Sequence, residues 1–328
     1  MKIIVSGATG FIGEALCGRL QAAGHRVVAL TRDLDRARRR LGPSVDLFRW
    51  DGPDAGRWER TLEDADAIVN LAGAPIAAGR WTAARKQLLV QSRVTATRRL
   101  VDALSLYGRR PVVFVSASGI GFYGASDTAL FDETGPKGTG FLADLSAAWE
   151  AEAQRADTFG ARVVRVRIGM VLERDGGALP KMLLPFYLGM GGPILPGTQW
   201  VSWIHRTDLI ELIRWAVSTP TVSGPLNAVA PGAVQMTQLC HSVGRALHRP
   251  CWLPVPQVAV RVGLGELGTL LTTGQRVDPA RARAQGFVFR YPDVESAMQA
   301  ILRRGFHEAS RAPMSGDAGA AVGKEVER

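Results

Sequence analysis

MKIIVSGATGFIG, residues 1–13, is an apolar strand that runs directly into glycines at positions 7, 10 and 13. Lys2-Ile3-Ile4-Val5 has the unbroken apolar character of a strand covered on both faces, and Phe11-Ile12 followed by Glu14-Ala15-Leu16 opens a helical period. The junction therefore places a helix N-terminus beside three residues without side chains. Gly7 takes the tight turn, Gly10 lets backbone approach a diphosphate, and Gly13 lets helix pack close on strand. The unpaired N–H groups of the first helical turn face the anion. Thr9, Phe11 and Ile12, threaded between the glycines, are assigned to the same cofactor contact.

The next strand, His25-Arg26-Val27-Val28-Ala29-Leu30, selects the dinucleotide. A carboxylate at its C-terminal end would accept from the adenine-ribose 2′-hydroxyl, but Thr31 and Arg32 stand there. A guanidinium suits a 2′-phosphate, with Arg36 close behind, so NADP(H) is the expected cofactor. Arg38, Arg39 and Arg40 read as a solvated helix face. Asp33, next in line, is the one carboxylate able to turn inward and oppose this reading.

Further strands follow at Val45–Trp50, Ala67–Leu71, Pro111–Ser116 and Arg162–Arg167, with helical periods between them, the longest over Thr82–Leu106 and another over Phe141–Phe159. The alternation predicts an α/β fold: a Rossmann-like doubly wound parallel sheet with a smaller C-terminal substrate lobe. Ligands lie beyond the carboxyl ends of such strands, so strand-closing residues carry the information. Asp51 closes the third strand and is expected near the adenine amine. Leu71, Ala72 and Gly73 close the fourth, with small residues where the cofactor passes, and Ser116 closes the fifth.

From about Gly176 the chain turns Gly/Pro-rich, too irregular for core and too apolar for a linker. The expected division is a nucleotide-binding domain over 1–175, a substrate-side lobe and C-terminal domain over 176–308, a part able to complete the sheet and carrying a strand at Leu226–Val229 within the smaller lobe, and a disordered tail over 309–328. Arg80, Trp81, Lys181 and Trp200 are assigned to the substrate side, as anion binders or ring-stacking groups.

The chain has 328 residues and a formal charge of +10, with arginine supplying 35 of its 40 basic residues. The arginines are scattered, with no aromatic-interleaved basic stripe and no nucleic-acid-binding module, which argues against nucleic acid as a partner. No stretch is long and apolar enough to span a membrane, and the opening strand is structural, so a cytoplasmic location is expected. Cys17, Cys240 and Cys251 have no metal-site spacing and read as reduced packing residues; no metal is expected. The partner is a small molecule, with a homodimer through the 82–106 helix a further expectation.

Several strings together, GATGFIG at 7–13, DAIVNLAGAPI at 66–76, VSASGIGFYG at 115–124, FLADLSAAWEAEA at 141–153 and GQRVDPARARAQGFVFRYPDVESAMQAIL at 274–302, resemble the epimerase-family proteins of the atypical short-chain dehydrogenase/reductase group. The resemblance spans roughly residues 1–304 and implies a Rossmann-type fold with NADP(H); the last string resembles the small C-terminal domain of that subfamily.

One departure bears on chemistry. Short-chain dehydrogenases use Tyr with Lys four residues later, the ammonium lowering the phenol pKa for proton exchange. The four tyrosines, Tyr107, Tyr123, Tyr187 and Tyr291, are followed at that spacing by Pro111, Asp127, Gly191 and Glu295. Leu142 and Ser146 occupy the aligned places. Ser118, Tyr123 and His205 are the candidate catalytic replacements. Two readings remain open: an oxidoreductase or epimerase on a small, partly apolar substrate with a non-standard proton donor, or a non-catalytic NADPH-binding sensor.

Overall fold

A computed structural model describes residues 1–50, 56–108 and 112–309. Its centre is a seven-stranded sheet of β1 (Lys2–Ser6), β2 (Arg26–Thr31), β3 (Asp46–Arg49), β4 (Ala67–Asn70), β5 (Val113–Gly119), β6 (Arg162–Ile168) and β7 (Gly224–Ala228). The spatial order is β7-β6-β5-β4-β1-β2-β3, every neighbouring pair parallel. Strand order reverses between β1 and β4, the switch point where such sheets hold ligands. The edge strand β7 pairs with β6 in the register Leu226 to Val166.

Alternate residues of β1 enter opposite layers. Ile3 and Val5 pack with Leu16, Leu20, Leu209 and Ile213 from helices Phe11–Ala22 and Arg206–Ser218. Ile4 joins Trp58, Leu62, Leu100 and Leu104 on the other face. Both faces are covered, which is why β1 shows no polar alternation.

The long helix expected over Thr82–Leu106 forms, capped by the Thr82 side chain, but a π-helical turn at Gln91–Thr95 separates its Ala83–Val90 and Ala96–Tyr107 segments. The second long helix ends at Gln154, with 3₁₀ turns continuing to Phe159.

The Gly/Pro-rich excursion contributes more to the core than its composition suggests. A helix over Leu179–Tyr187 accommodates Pro180 in its first turn, where a missing N–H costs nothing, and carries Pro185 within it. Leu179, Leu183 and Phe186 recur at helical spacing and are buried with Trp203, Leu239, Met298 and Ile301 in a separate C-terminal core. Short strands Trp200–Val201 and Trp203–His205 follow.

Among the described residues no helix is long and apolar enough to cross a membrane, and no group of three or more His, Cys, Asp and Glu is placed to hold a metal. Asp51, the expected adenine contact, and the tail from 310 onward lie outside the described residues.

Candidate active site

The glycine turn has the geometry its sequence predicts. Gly7 has φ +69°, and a Cβ there would lie 2.6 Å from the Leu71 carbonyl oxygen, so the glycine turn and the Leu71–Gly73 turn close directly on one another. A Cβ at Gly13 would collide with the Gly7 carbonyl. Gly10 differs: its φ is −83° and its Cβ would touch the protein only at Gly7 O, 3.1 Å away. The fold itself therefore restricts a side chain there less than at Gly7 or Gly13. Gly10 caps the helix Phe11–Ala22 with no side-chain hydrogen bond, leaving first-turn N–H groups for an anion. This cradle fits a dinucleotide diphosphate.

Around it, Thr9 offers its carbonyl to Arg40 at 2.7 Å, and Arg40 also pairs with Glu14 at 3.1 Å; one of the arginines expected to be solvated therefore ties the glycine loop to the next helix. Phe11 fills the space left by Gly176 and Gly177, with Arg206 5.0 Å from its ring centre. Ile12 is half-buried against the core. Asn70 joins three elements: it accepts from Ser6 Oγ at 2.7 Å and donates to Thr97 at 2.7 Å and Ser116 at 3.2 Å.

Asp33 does not turn inward. Its carboxylate accepts from Arg36 N at 2.9 Å as the cap of helix Leu34–Leu41, and its own N–H donates to Thr31 Oγ1 at 3.2 Å. Arg32 at the strand end is exposed, with no hydrogen bond or ion pair among the described residues.

The three candidate catalytic residues are all buried. Ser118 donates to Glu150 Oε1 at 2.7 Å, and Arg167 pairs with both oxygens of that carboxylate at 2.8 and 2.9 Å. Tyr123 belongs to the same network: its hydroxyl donates to Asn227 at 2.7 Å and accepts from Arg167 at 2.9 Å. Burial pushes this phenol up, against the direction a proton donor at neutral pH needs. His205 accepts from Thr207 N at 3.0 Å through Nδ1, capping its helix, and stacks on Tyr291 with ring centres 4.0 Å apart. The structure thus joins Ser118 to Tyr123 through Glu150 and Arg167 and seats His205 in a different contact set. Leu142 packs against Gly121, and Ser146 Oγ would lie 3.8 Å from a Cβ on Gly119, so the places aligned with Tyr and Lys do flank the end of β5.

On the substrate side, Arg80 donates to the carbonyls of Gly263 at 3.1 Å and Val262 at 2.5 Å, and Lys181 to Ala77 at 3.3 Å. Trp81 bonds Ile76 O at 3.0 Å and meets Phe141 edge-on. These three gather around residues 74–81. Trp200 has other partners, donating to Asp127 O at 3.0 Å beneath Arg276.

Sequence reasoning missed Arg85 and Arg93, which approach the same 74–81 segment. Arg93, on the π-helical turn, is 7% exposed, packs on Gly73, and donates to Ala74 O at 2.9 Å. Burial, with Arg85 beside it, lowers its pKa to about 10. In sequence Arg93 is one of 35 arginines, and no local signal marks the turn that carries it inward.

A doubly wound sheet with a glycine turn at its switch point defines a dinucleotide-binding protein of the short-chain dehydrogenase type. The chain belongs to the NAD dependent epimerase/dehydratase family, whose model matches residues 3–228, and a domain of unknown function, DUF1731, matches residues 255–301. It is 41% identical over 305 residues to the chloroplastic epimerase family protein SDR39U1 homolog of Arabidopsis thaliana, covering 92% of this chain and 87% of that one. It is 38% identical to epimerase family protein YfhF of Bacillus subtilis, covering 92% and 98%. Among solved structures, human epimerase family protein SDR39U1 (isoform 2), crystallised with NADPH, superposes with a TM-score of 0.84 at 35% identity, covering 92% of this chain and 99% of that one.

Proposed function

We propose that this protein binds NADP(H) at the β1–β4 switch point and acts as an oxidoreductase or epimerase on a small, partly apolar substrate. The observation that carries the cofactor choice is the disposition of Asp33 and Arg32. Asp33, the carboxylate next after the end of β2 in sequence, is committed to a helix cap, while the Arg32 guanidinium beside it is exposed and unpaired among the described residues. A 2′-phosphate fits that arrangement and a 2′-hydroxyl lacks its acceptor. The NADPH in the human relative's crystal structure supports the same choice.

When bound, the nicotinamide supplies hydride chemistry. The chain's own contribution is positional. Gly7, Gly10 and Gly13 admit the diphosphate; Leu71, Ala72 and Gly73 form the turn along which the cofactor passes; Asn70 and Ser116 hold the strand ends that present it. Arg80, Trp81 and Lys181 border the substrate side. The proton donor differs from the Tyr/Lys pair, with Ser118 retained as the residue that orients a substrate polar group.

A second reading, a non-catalytic NADPH-binding sensor, is favoured by one observation: Ser118, Tyr123 and His205 are each buried and already hydrogen-bonded within the fold. Following NADPH consumption in the presence of quinones, aldehydes and ketones tests the enzymatic reading. Turnover that falls when Ser118 is replaced by alanine supports it; tight NADPH binding with no turnover across the panel favours the sensor.

A further inference from the structure

We infer that Arg85 and Arg93 form an oxyanion subsite beside the Leu71–Gly73 turn, which receives a carboxylate or phosphate group of the substrate; this rests on the cofactor reading above and narrows its substrate class. Both guanidiniums converge on one short stretch of backbone. Arg93 donates to Ala74 O and Arg85 to Pro75 O. The Nε atom of each is buried and has no hydrogen-bond partner. Neither arginine is paired with a carboxylate among the described residues. Burying a cation without a counter-charge is costly, and an unsatisfied buried donor adds to the cost.

The positions of the two groups fit a ligand. Arg93 lies between Gly73 and the Trp149 ring, whose centre is 5.3 Å from its guanidinium carbon. Trp149 is itself fixed by a 2.9 Å bond to Thr97, the residue that also holds Asn70. The guanidinium is therefore pre-oriented from the strand end where ligands lie. It is carried there by the Gln91–Thr95 turn, and π-helical turns concentrate at functional sites. Ser92 Oγ accepts from Ala74 N at 3.0 Å and lies 3.4 Å from Arg93 Nη1, placing a hydroxyl in the same cluster. Two more cations at this segment hydrogen-bond carbonyls, with no carboxylate partner among the described residues: Lys181 bonds Ala77, and Arg80, within the segment, bonds Val262 and Gly263. The 74–81 segment is thus bordered by cations and favours an anionic substrate.

The test is titration of NADPH-saturated protein with inorganic phosphate and, separately, with acetate, at constant ionic strength, for the wild type, Arg85→Gln and Arg93→Gln. The expected result is saturable binding of at least one anion by the wild type, weakened tenfold or more in both variants; the preferred anion identifies phosphate or carboxylate as the group received. Arg85 is half-buried, so its variant decides the matter should Arg93→Gln fail to fold. Absence of saturable binding, or equal affinity in wild type and Arg85→Gln, overturns the subsite. NADPH titration of the same proteins separates the two failures: a wild type that takes no NADPH contradicts the cofactor reading, whereas a tenfold loss of NADPH affinity in Arg93→Gln gives that arginine to the cofactor and overturns a separate subsite.

Discussion

Ser118 Oγ donates its only proton to Glu150 Oε1 across 2.7 Å, and Glu150 is held in turn by a two-point pair with Arg167. A hydroxyl in this state accepts from any further partner. Under the proposed function Ser118 would therefore meet substrate as an acceptor, which matches a substrate hydroxyl or amine.

Glu150→Gln is expected to cost about 3–5 kcal/mol, because it leaves the Arg167 guanidinium buried without its counter-charge. Ser118→Ala removes one bond to a charged group and should cost less, roughly 1.5–3 kcal/mol. Urea denaturation of the two variants checks the order; equal losses would show that the ion pair does not anchor the network.

Gly10 and Gly13 should separate binding from folding. Gly10→Val leaves the helix start with allowed backbone and little to strike, so the fold persists and nucleotide binding is lost. Gly13→Val forces a side chain into the Gly7 carbonyl and should lower the unfolding midpoint as well. Circular dichroism melts with NADPH titration distinguish the two; retained NADPH binding in Gly10→Val would move the diphosphate elsewhere.

Arg32→Asp should reverse cofactor preference. Losing a charge-assisted bond to a phosphate and gaining an acceptor for a hydroxyl amounts to about 1.5–3 kcal/mol, a change of roughly ten- to a hundredfold in the NADPH/NADH affinity ratio. An unchanged ratio would release Arg32 from the 2′-phosphate.

Stability at acidic pH should depend on Glu152. Its hydrogen bond to Arg98, with Arg155 adding to it, holds this carboxyl below its ordinary value of 4.5. A depressed folded-state pKa gives stability that is present above pH 4.5 and is lost as pH falls through the folded-state value. Both arginines are about half exposed, so Glu152→Gln should cost only about 0.5–1 kcal/mol at pH 7 and less at pH 3. Denaturation at the two pH values measures the difference.

Thiol labelling reports the cores directly. Burial pushes Cys17 and Cys240 up to about 12, and Cys251 is raised but only partly covered. Native protein at pH 7.5, a pH of roughly the labelling range for free thiols, should react at Cys251 first. Cys17 and Cys240 should react only on unfolding.

The inner strands β1, β2 and β4 were legible because each carries a short apolar run bounded by turn residues, and β1 with its glycines also located the switch point. The C-terminal core was harder to read. Pro180 and Pro185 mark the Leu179–Tyr187 segment as a breaker by composition, whereas Leu179, Leu183 and Phe186 form an apolar helical face that tertiary packing completes. The π-helical turn at Gln91–Thr95 has no Gly or Pro to announce it, so nothing local in the sequence marks the inward course of Arg93. For the same reason the Glu150–Arg167 pair behind Ser118 was invisible: it joins a helix to a strand, and both residues look like ordinary surface charges in sequence.

The central claim is that the β1–β4 switch point holds NADP(H). Calorimetric titration of the purified protein with NADPH and with NADH tests it most directly. The account predicts one saturable NADPH site, with NADH weaker by about tenfold or more; equal affinities, preference for NADH, or no heat with either nucleotide would contradict it.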